Sequence, residues 1–130
     1  MEVGPRKTIK MRMLFLRPET KELVWIKYTF GGGQINPMLA LLLVSEGTRA
    51  ACMYTEKNDK DGKEIYDGDI MRGDNGVSYV VEYERDFAMF TLSRKCNDDT
   101  IVSTMPLSEK LREDPSLRVI GNTYGVLNEN

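Results

Sequence analysis

The side chains with the greatest chemical capacity in this chain are carboxylates, gathered in the run YTEKNDKDGKEIYDGDIMRGDNG from Tyr54 to Gly76. Asp59, Asp61 and Gly62 match the third, fifth and sixth positions of a calcium loop, where oxygen ligands and a sharply turning glycine are required. The match then fails, because Lys57 occupies the first ligand position and Gly68 stands where a bidentate carboxylate must be. Glu64, Asp67 and Asp69 lie close enough in sequence for acid-base work, provided burial separates their pKa values. Asp67 and Asp69 flank a turn glycine, where exposure and backbone hydrogen bonding are the usual state, so a structural role is favoured. Glu82, Glu84 and Asp86 recur with a period of two and make an acidic stripe that reads as a solvated strand face.

Other routes to chemistry close for simple reasons. The chain has no His, which removes the commonest general base and metal ligand at neutral pH. The triple glycine of GGGQINP, Gly31 to Pro37, lacks the Gly-Lys-Ser/Thr that completes a phosphate loop, so a loop without ligand is expected. Cys52 and Cys96 have no framework spacing and read as reduced, buried thiols. No catalytic residue, cofactor or metal is expected, and the protein is read as not an enzyme. Nucleic-acid binding needs basic residues interleaved with exposed aromatics on one surface. Two sparse groups could supply it: Lys10, Arg12, Lys27 and Tyr28, and Arg85, Arg94 and Lys95.

The elements that must position these residues are mostly strands. Ile9, Met11, Met13 and Phe15 alternate with Lys10, Arg12 and Leu14, the period expected when one sheet face is buried. Arg17-Pro18-Glu19-Thr20 turns the chain into a second strand, Leu23 to Phe30, with Trp25 as a core anchor. Met38 to Val44 fits a helix or a buried strand equally, and Ser45 to Thr48 turns into a partner strand from Arg49 to Tyr54. Asp61-Gly62, Asp67-Gly68 and Asn75-Gly76 are turn pairs, since Gly accepts positive φ and the Asx side chain caps its own backbone. The first should close a hairpin that carries Ile65 and Tyr66 into the core. Tyr79, Val81 and Tyr83 share one strand face, the chain turns near Arg85 to Phe87, and Phe90 and Leu92 return on a common face. A strand from Thr100 to Met105 precedes one short helix after Pro106, with Ser108 as N-cap and Asp114-Pro115 as terminator. A last strand, Leu117 to Val126, contains a glycine irregularity. The expected core is Phe15, Trp25, Ile65, Ile70, Val81, Phe90, Leu111 and Ile120.

Size and composition agree with a folded domain: 130 residues, 41% hydrophobic and 29% charged. The formal charge of −2 hides a division, with 7 Lys/Arg against 3 Asp/Glu up to Ile35 and 11 against 17 beyond it. Such asymmetry reads first as two solvated faces and second as a nucleic-acid or subunit contact. The longest apolar run is far short of the ~20 residues of a spanning helix, and the opening MEVGPRKTIK lacks the apolar core of a signal peptide. No membrane association is expected, and the default location is the cytoplasm.

The run YTEKNDKDGKEIYDGDI resembles the hallmark of the YopX family, which has a Tyr-Thr, an Asp-Lys-x-Gly-Lys-Glu-Ile-Tyr core and a Gly-Asp-Ile ending. IKMRMLFLRPETKELVWI resembles the family's opening hairpin, and LRVIGNTYGV its closing Val-Ile-Gly-Asn-x-Tyr. Glu56 departs from the glycine the family commonly has there, and Gly125 follows Tyr124 where an acidic residue or Asn is usual. The resemblance implies a mostly β protein encoded in phage-derived DNA and so present in the host-cell cytoplasm, with no established activity or functional residues to carry over. The resulting expectation is one YopX-like domain over 1–130. Within it, 1–53 would form a hairpin and variable region, and 54–130 a small barrel-like (SH3-like) antiparallel sheet with one short helix. Its expected role is that of a non-enzymatic phage or prophage accessory protein acting through an unknown protein partner, with homo-oligomerisation considered. A nucleic-acid-binding β-barrel module is the alternative.

Overall fold

Strand-forming runs separated by Asx-Gly and Pro turns give a mainly β architecture, seen in a computed structural model that describes residues 8–31, 46–95 and 100–125. Residues 32–45, including most of the triple-glycine loop and the ambiguous 38–44 run, lie outside the described residues, as do Cys96 and Val126. The elements are β1 (Thr8–Leu16), β2 (Leu23–Gly31), β3 (Thr48–Asn58), β4 (Glu64–Tyr66), β5 (Asp69–Arg72), β6 (Ser78–Glu84), β7 (Met89–Lys95), β8 (Ile101–Pro106), α1 (Leu107–Glu113) and β9 (Arg118–Asn122). They form two antiparallel sheets, ordered β2-β1-β3-β4 and β8-β7-β6-β5-β9. The second sheet is open, ending at β8 and β9, and no closed barrel is present among the described residues. The chain divides into two compact units, Met1–Tyr54 with Val126–Asn130, and Thr55–Gly125. Strand β3 belongs to both.

In the first unit the β1–β2 hairpin is in register from Thr8↔Gly31 to Leu16↔Leu23, and β3 pairs with the other edge of β1. Arg17 N–H donates to Glu22 O (2.9 Å) and Lys21 N–H to Arg17 O (2.9 Å), so the Pro18 turn closes one residue beyond the expected tetrapeptide, with Lys21 at φ 61°. Pairing places Arg12, Leu14, Trp25 and Cys52 on one sheet face and Met13 and Val24 on the other. All six are buried. The alternation thus found the strand but not its burial, for both faces are covered. Arg12 enters an apolar face because its guanidinium lies 4.4 Å from the centroid of the Trp25 ring, where the cation meets the π face.

The core of the second unit is Ile65, Met71, Tyr79, Val81, Leu92, Leu107 and Leu117, with Val77, Phe90, Leu111 and Val119 packed against it. Of the expected core, Trp25, Ile65 and Val81 are fully buried, while Phe15, Ile70, Phe90 and Leu111 are half-buried. Ile120 is a correction, being 42% exposed. The cause is a bulge: β5 pairs with β9 at Ile70↔Gly121 and next at Met71↔Val119, which leaves Ile120 without a position in the ladder. Inward-facing Val119 takes the place expected of it.

Helix α1 begins at Leu107, two residues earlier than a Ser108 cap would start it. Pro106 is its N-cap without a side-chain hydrogen bond, and Ser108 is an exposed first-turn residue rather than the cap. The shift carries Leu107 into the core at 2% exposure. At the other end Asp114 N–H closes on Lys110 O (2.8 Å), and the Asp114 carboxylate accepts from Ser116 Oγ (2.6 Å) and Ser116 N–H (3.1 Å). The Ser116 hydroxyl, helped by its backbone N–H and the Lys110 charge, holds the Asp114 carboxyl below its ordinary value against the opposing effect of burial. Because the folded pKa is depressed, this contribution is present above the unfolded value and is lost as pH falls through the folded one. Ser116→Ala is therefore expected to lower stability at neutral pH, with the Asp114-dependent part of the loss fading below about pH 4 in urea titrations. A pH-independent remainder is expected, since Ser116 Oγ also accepts from Asp74 N–H (2.9 Å).

Candidate functional site

The carboxylates between Tyr54 and Gly76 are turned to the backbone. Asp59, 8% exposed, accepts from Asp61 N–H (2.9 Å) and Lys63 N–H (2.8 Å) at one oxygen and from Val119 N–H (2.9 Å) at the other. It therefore fastens the β3–β4 turn, closed by Asp59 N–H to Lys63 O (2.8 Å) with Gly62 at φ 82°, to strand β9. The hairpin carries Ile65 and Tyr66 into burial as expected, but the organising residue is Asp59 rather than Asp61. Asp69 is completely buried, against the expectation of an exposed turn, and accepts from Tyr66 N–H (2.8 Å). Glu64 accepts from the Tyr66 hydroxyl (3.1 Å), and Asp67 is half-buried.

Gly68 completes the same arrangement. Its N–H donates to Val81 O and its carbonyl accepts from Thr123 N–H, both at 2.8 Å, while φ is 86° and an added Cβ would lie 2.9 Å from Tyr124 Cε2. Backbone contacts on both sides at a positive φ explain why the turn uses Gly. Among the described residues no group of three His, Cys, Asp or Glu side chains could hold a metal ion.

The basic residues of the first group share one sheet face, without the aromatic expected beside them. In the first unit Lys10 and Lys27 project from the same face of the β1–β2 hairpin as Arg12, whereas Tyr28 projects from the opposite face. Arg12 is buried against Trp25, so its guanidinium is not presented to a ligand, and Lys10 lies 5.5 Å from the Tyr54 ring centroid. In the second unit Arg85 is in the β6–β7 turn and Arg94 near the far end of β7, both exposed. The side chain of Lys95 is outside those described.

What the second unit does leave in water is a set of apolar side chains at one end of the β6–β7 hairpin, on both of its faces, since Tyr83 pairs with Phe90 and Met89 with Glu84. Phe87 is 71%, Tyr83 46% and Met89 38% exposed. Tyr83 was expected on the core face, and it does share that face with Val81, but it sits at the strand end, where it meets Phe90 edge to face at 5.1 Å. Met89 and Phe90 also line a cleft of about 210 Å³ with Thr55, Lys57, Pro106, Leu107 and Ser108. None of Glu64, Asp67 or Asp69 lines it. The hairpin was legible in the sequence, but the exposure of its apolar tip was not, because period-two patterning assigns faces without saying where the covering layer stops.

The family model described as YopX protein matches residues 7–126. The chain belongs to the YopX family. No curated protein matches it. The YopX signature over residues 54–70 coincides with the turns organised by Asp59, Gly68 and Asp69, which gives the motif a structural meaning. Glu56, where the resemblance to the family implies Gly, has φ 65° within β3. A side chain in this region is strained by about 1 kcal/mol or more. Glu56→Gly is therefore expected to raise stability by about 0.5–1 kcal/mol in urea unfolding, the relief of strain exceeding the entropy that Gly adds to the unfolded chain. No change, or a loss, would show that the backbone there accommodates a side chain without cost.

Proposed function

We propose that this YopX-family chain is a non-enzymatic phage or prophage accessory protein that works in the host-cell cytoplasm by binding another protein through the tip of the β6–β7 hairpin and the adjoining cleft. The observation that carries this reading is the exposure of Phe87, Tyr83 and Met89 at one hairpin end, Tyr83 on one face and Met89 on the other. Each apolar Å² left in water forgoes roughly 25 cal/mol, and exposed aromatics with Met are enriched at protein-binding surfaces. The cleft beside them offers apolar walls and one cation, Lys57, which suits a segment with an apolar side chain next to a carboxylate.

The test is paired affinity purification from lysogenic or infected host cells, with wild type and a Phe87→Ser/Met89→Ser double variant as baits and quantitative mass spectrometry as readout. Both residues are exposed, so the variant should fold. Proteins retained by wild type and reduced about tenfold or more by the variant support the reading, whereas equal recovery of the same proteins by both baits sinks it. Sequencing of bound nucleic acid in the same samples addresses the other reading. Exposed Lys27, Arg85 and Arg94 are its remaining supports, and binding through them should weaken steeply with salt.

A further inference from the structure

We propose that Arg72, Ser78 and Arg118, at one end of the second sheet, form a binding site for the phosphate group of a small molecule. This stands apart from the hairpin-tip reading. Strand β5 lies between β6 and β9, and its last residue, Arg72, pairs with Ser78 on one side and with Arg118 on the other. The three side chains therefore stand in a row on one sheet face. Like charges directly opposite in a ladder are destabilising, so two opposed guanidiniums cost the fold something unless an anion lies over them. The row is open to water, for Arg72 is exposed and the Arg118 side chain is 43% exposed.

The chemistry of the ligand follows from the donors left over. Arg72 Nε donates to Ser78 Oγ (3.1 Å), which holds the guanidinium over the sheet and leaves both of its Nη groups without a partner among the described residues. Ser78 Oγ accepts in that bond, so its own proton remains to be donated. Arg118 meets only Asp74, at 4.0 Å, and that carboxylate is 78% exposed, so the contact is a loose surface pair. Two guanidinium forks and a hydroxyl offer more donors than the two oxygens of a carboxylate can accept, whereas a phosphate has an oxygen for each and up to two negative charges. Asp74 is then the built-in competitor. The Asp114 carboxylate is not, because it is taken up by Ser116 Oγ (2.6 Å) and Ser116 N–H (3.1 Å).

The test is a titration of the isotopically labelled full chain, followed by heteronuclear NMR, with inorganic phosphate and separately with adenosine monophosphate. Chloride keeps the ionic strength constant, so general screening does not change along the series. Saturable shifts are expected at the Nε–H signals of Arg72 and Arg118 and at the Ser78 amide. Arg72→Gln and Arg118→Gln should each weaken binding about tenfold or more, and Ser78→Ala about threefold. Asp74→Asn should tighten it about threefold by removing the competing charge, while Arg112→Gln, at an exposed position of α1, should leave it unchanged. The remaining signals of each spectrum show whether a variant is folded. Equal affinity for the two ligands identifies the free ion, and tighter binding of the nucleotide identifies a nucleotide-borne phosphate; either supports the proposal. No saturable shift with either ligand, Arg72 and Arg118 variants that bind as wild type does, weaker binding by Asp74→Asn, or equal loss in Arg112→Gln would each overturn it.

Discussion

Asp59→Ala is expected to destabilise the 55–125 unit by about 3 kcal/mol, seen as a lower urea midpoint at unchanged m value. The carboxylate accepts three backbone N–H groups from a nearly buried position, and charge-assisted bonds of this kind contribute about 1.5–3 kcal/mol apiece before partial replacement by water. Two of the donors, Asp61 and Lys63, are in the same turn and water can reach them after truncation. The third, Val119, is 60 residues away, and its bond is the one that fastens β9 to the β3–β4 turn. Asp59→Asn should fall between, because the amide oxygen can replace one acceptor while its NH₂ faces a donor. A loss below about 0.5 kcal/mol for the Ala variant would show that the turn holds without the carboxylate.

Trp25→Ala should cost the first unit about 4 kcal/mol, within the range for truncating a fully buried aromatic. Trp25 is 1% exposed, and its removal leaves both a cavity and a buried guanidinium deprived of its ring. Trp25→Phe keeps an aromatic face for Arg12 and is expected to cost less than half as much. Thermal unfolding followed by circular dichroism reads both variants. If Phe proved as costly as Ala, the cation–ring contact would contribute little and shape alone would set the loss. The same contact accounts for Arg12 as a structural residue in a position where sequence marked it for nucleic acid.

Much of the secondary structure was legible because its signals are local. Gly62, Gly68 and Gly76 all take positive φ, as their Asx-Gly pairs require. Alternation located the strands, and Asp114-Pro115 ended the helix. The errors fell where a distant partner decides. Ser108 resembles a cap, but packing of Leu107 set where α1 begins. Ile120 fits the strand period, but a bulge against β5 turned it out. Tyr83 lies on the core face but beyond the core's edge. The strained Glu56 was visible only as a departure from a family pattern, and φ gave that departure a cost.

Sequence by itself determined the mainly β class, the turn sites, the YopX signature and the lack of a complete metal, phosphate or histidine-based motif, since each depends on neighbouring residues along the chain. Tertiary structure decided which carboxylates are buried on backbone N–H groups, that Arg12 is enclosed against Trp25, and which apolar side chains stay in water at the β6–β7 tip. Those properties are set by what comes to lie across a face or beside an edge, and packing between residues remote in sequence has no local signal to read.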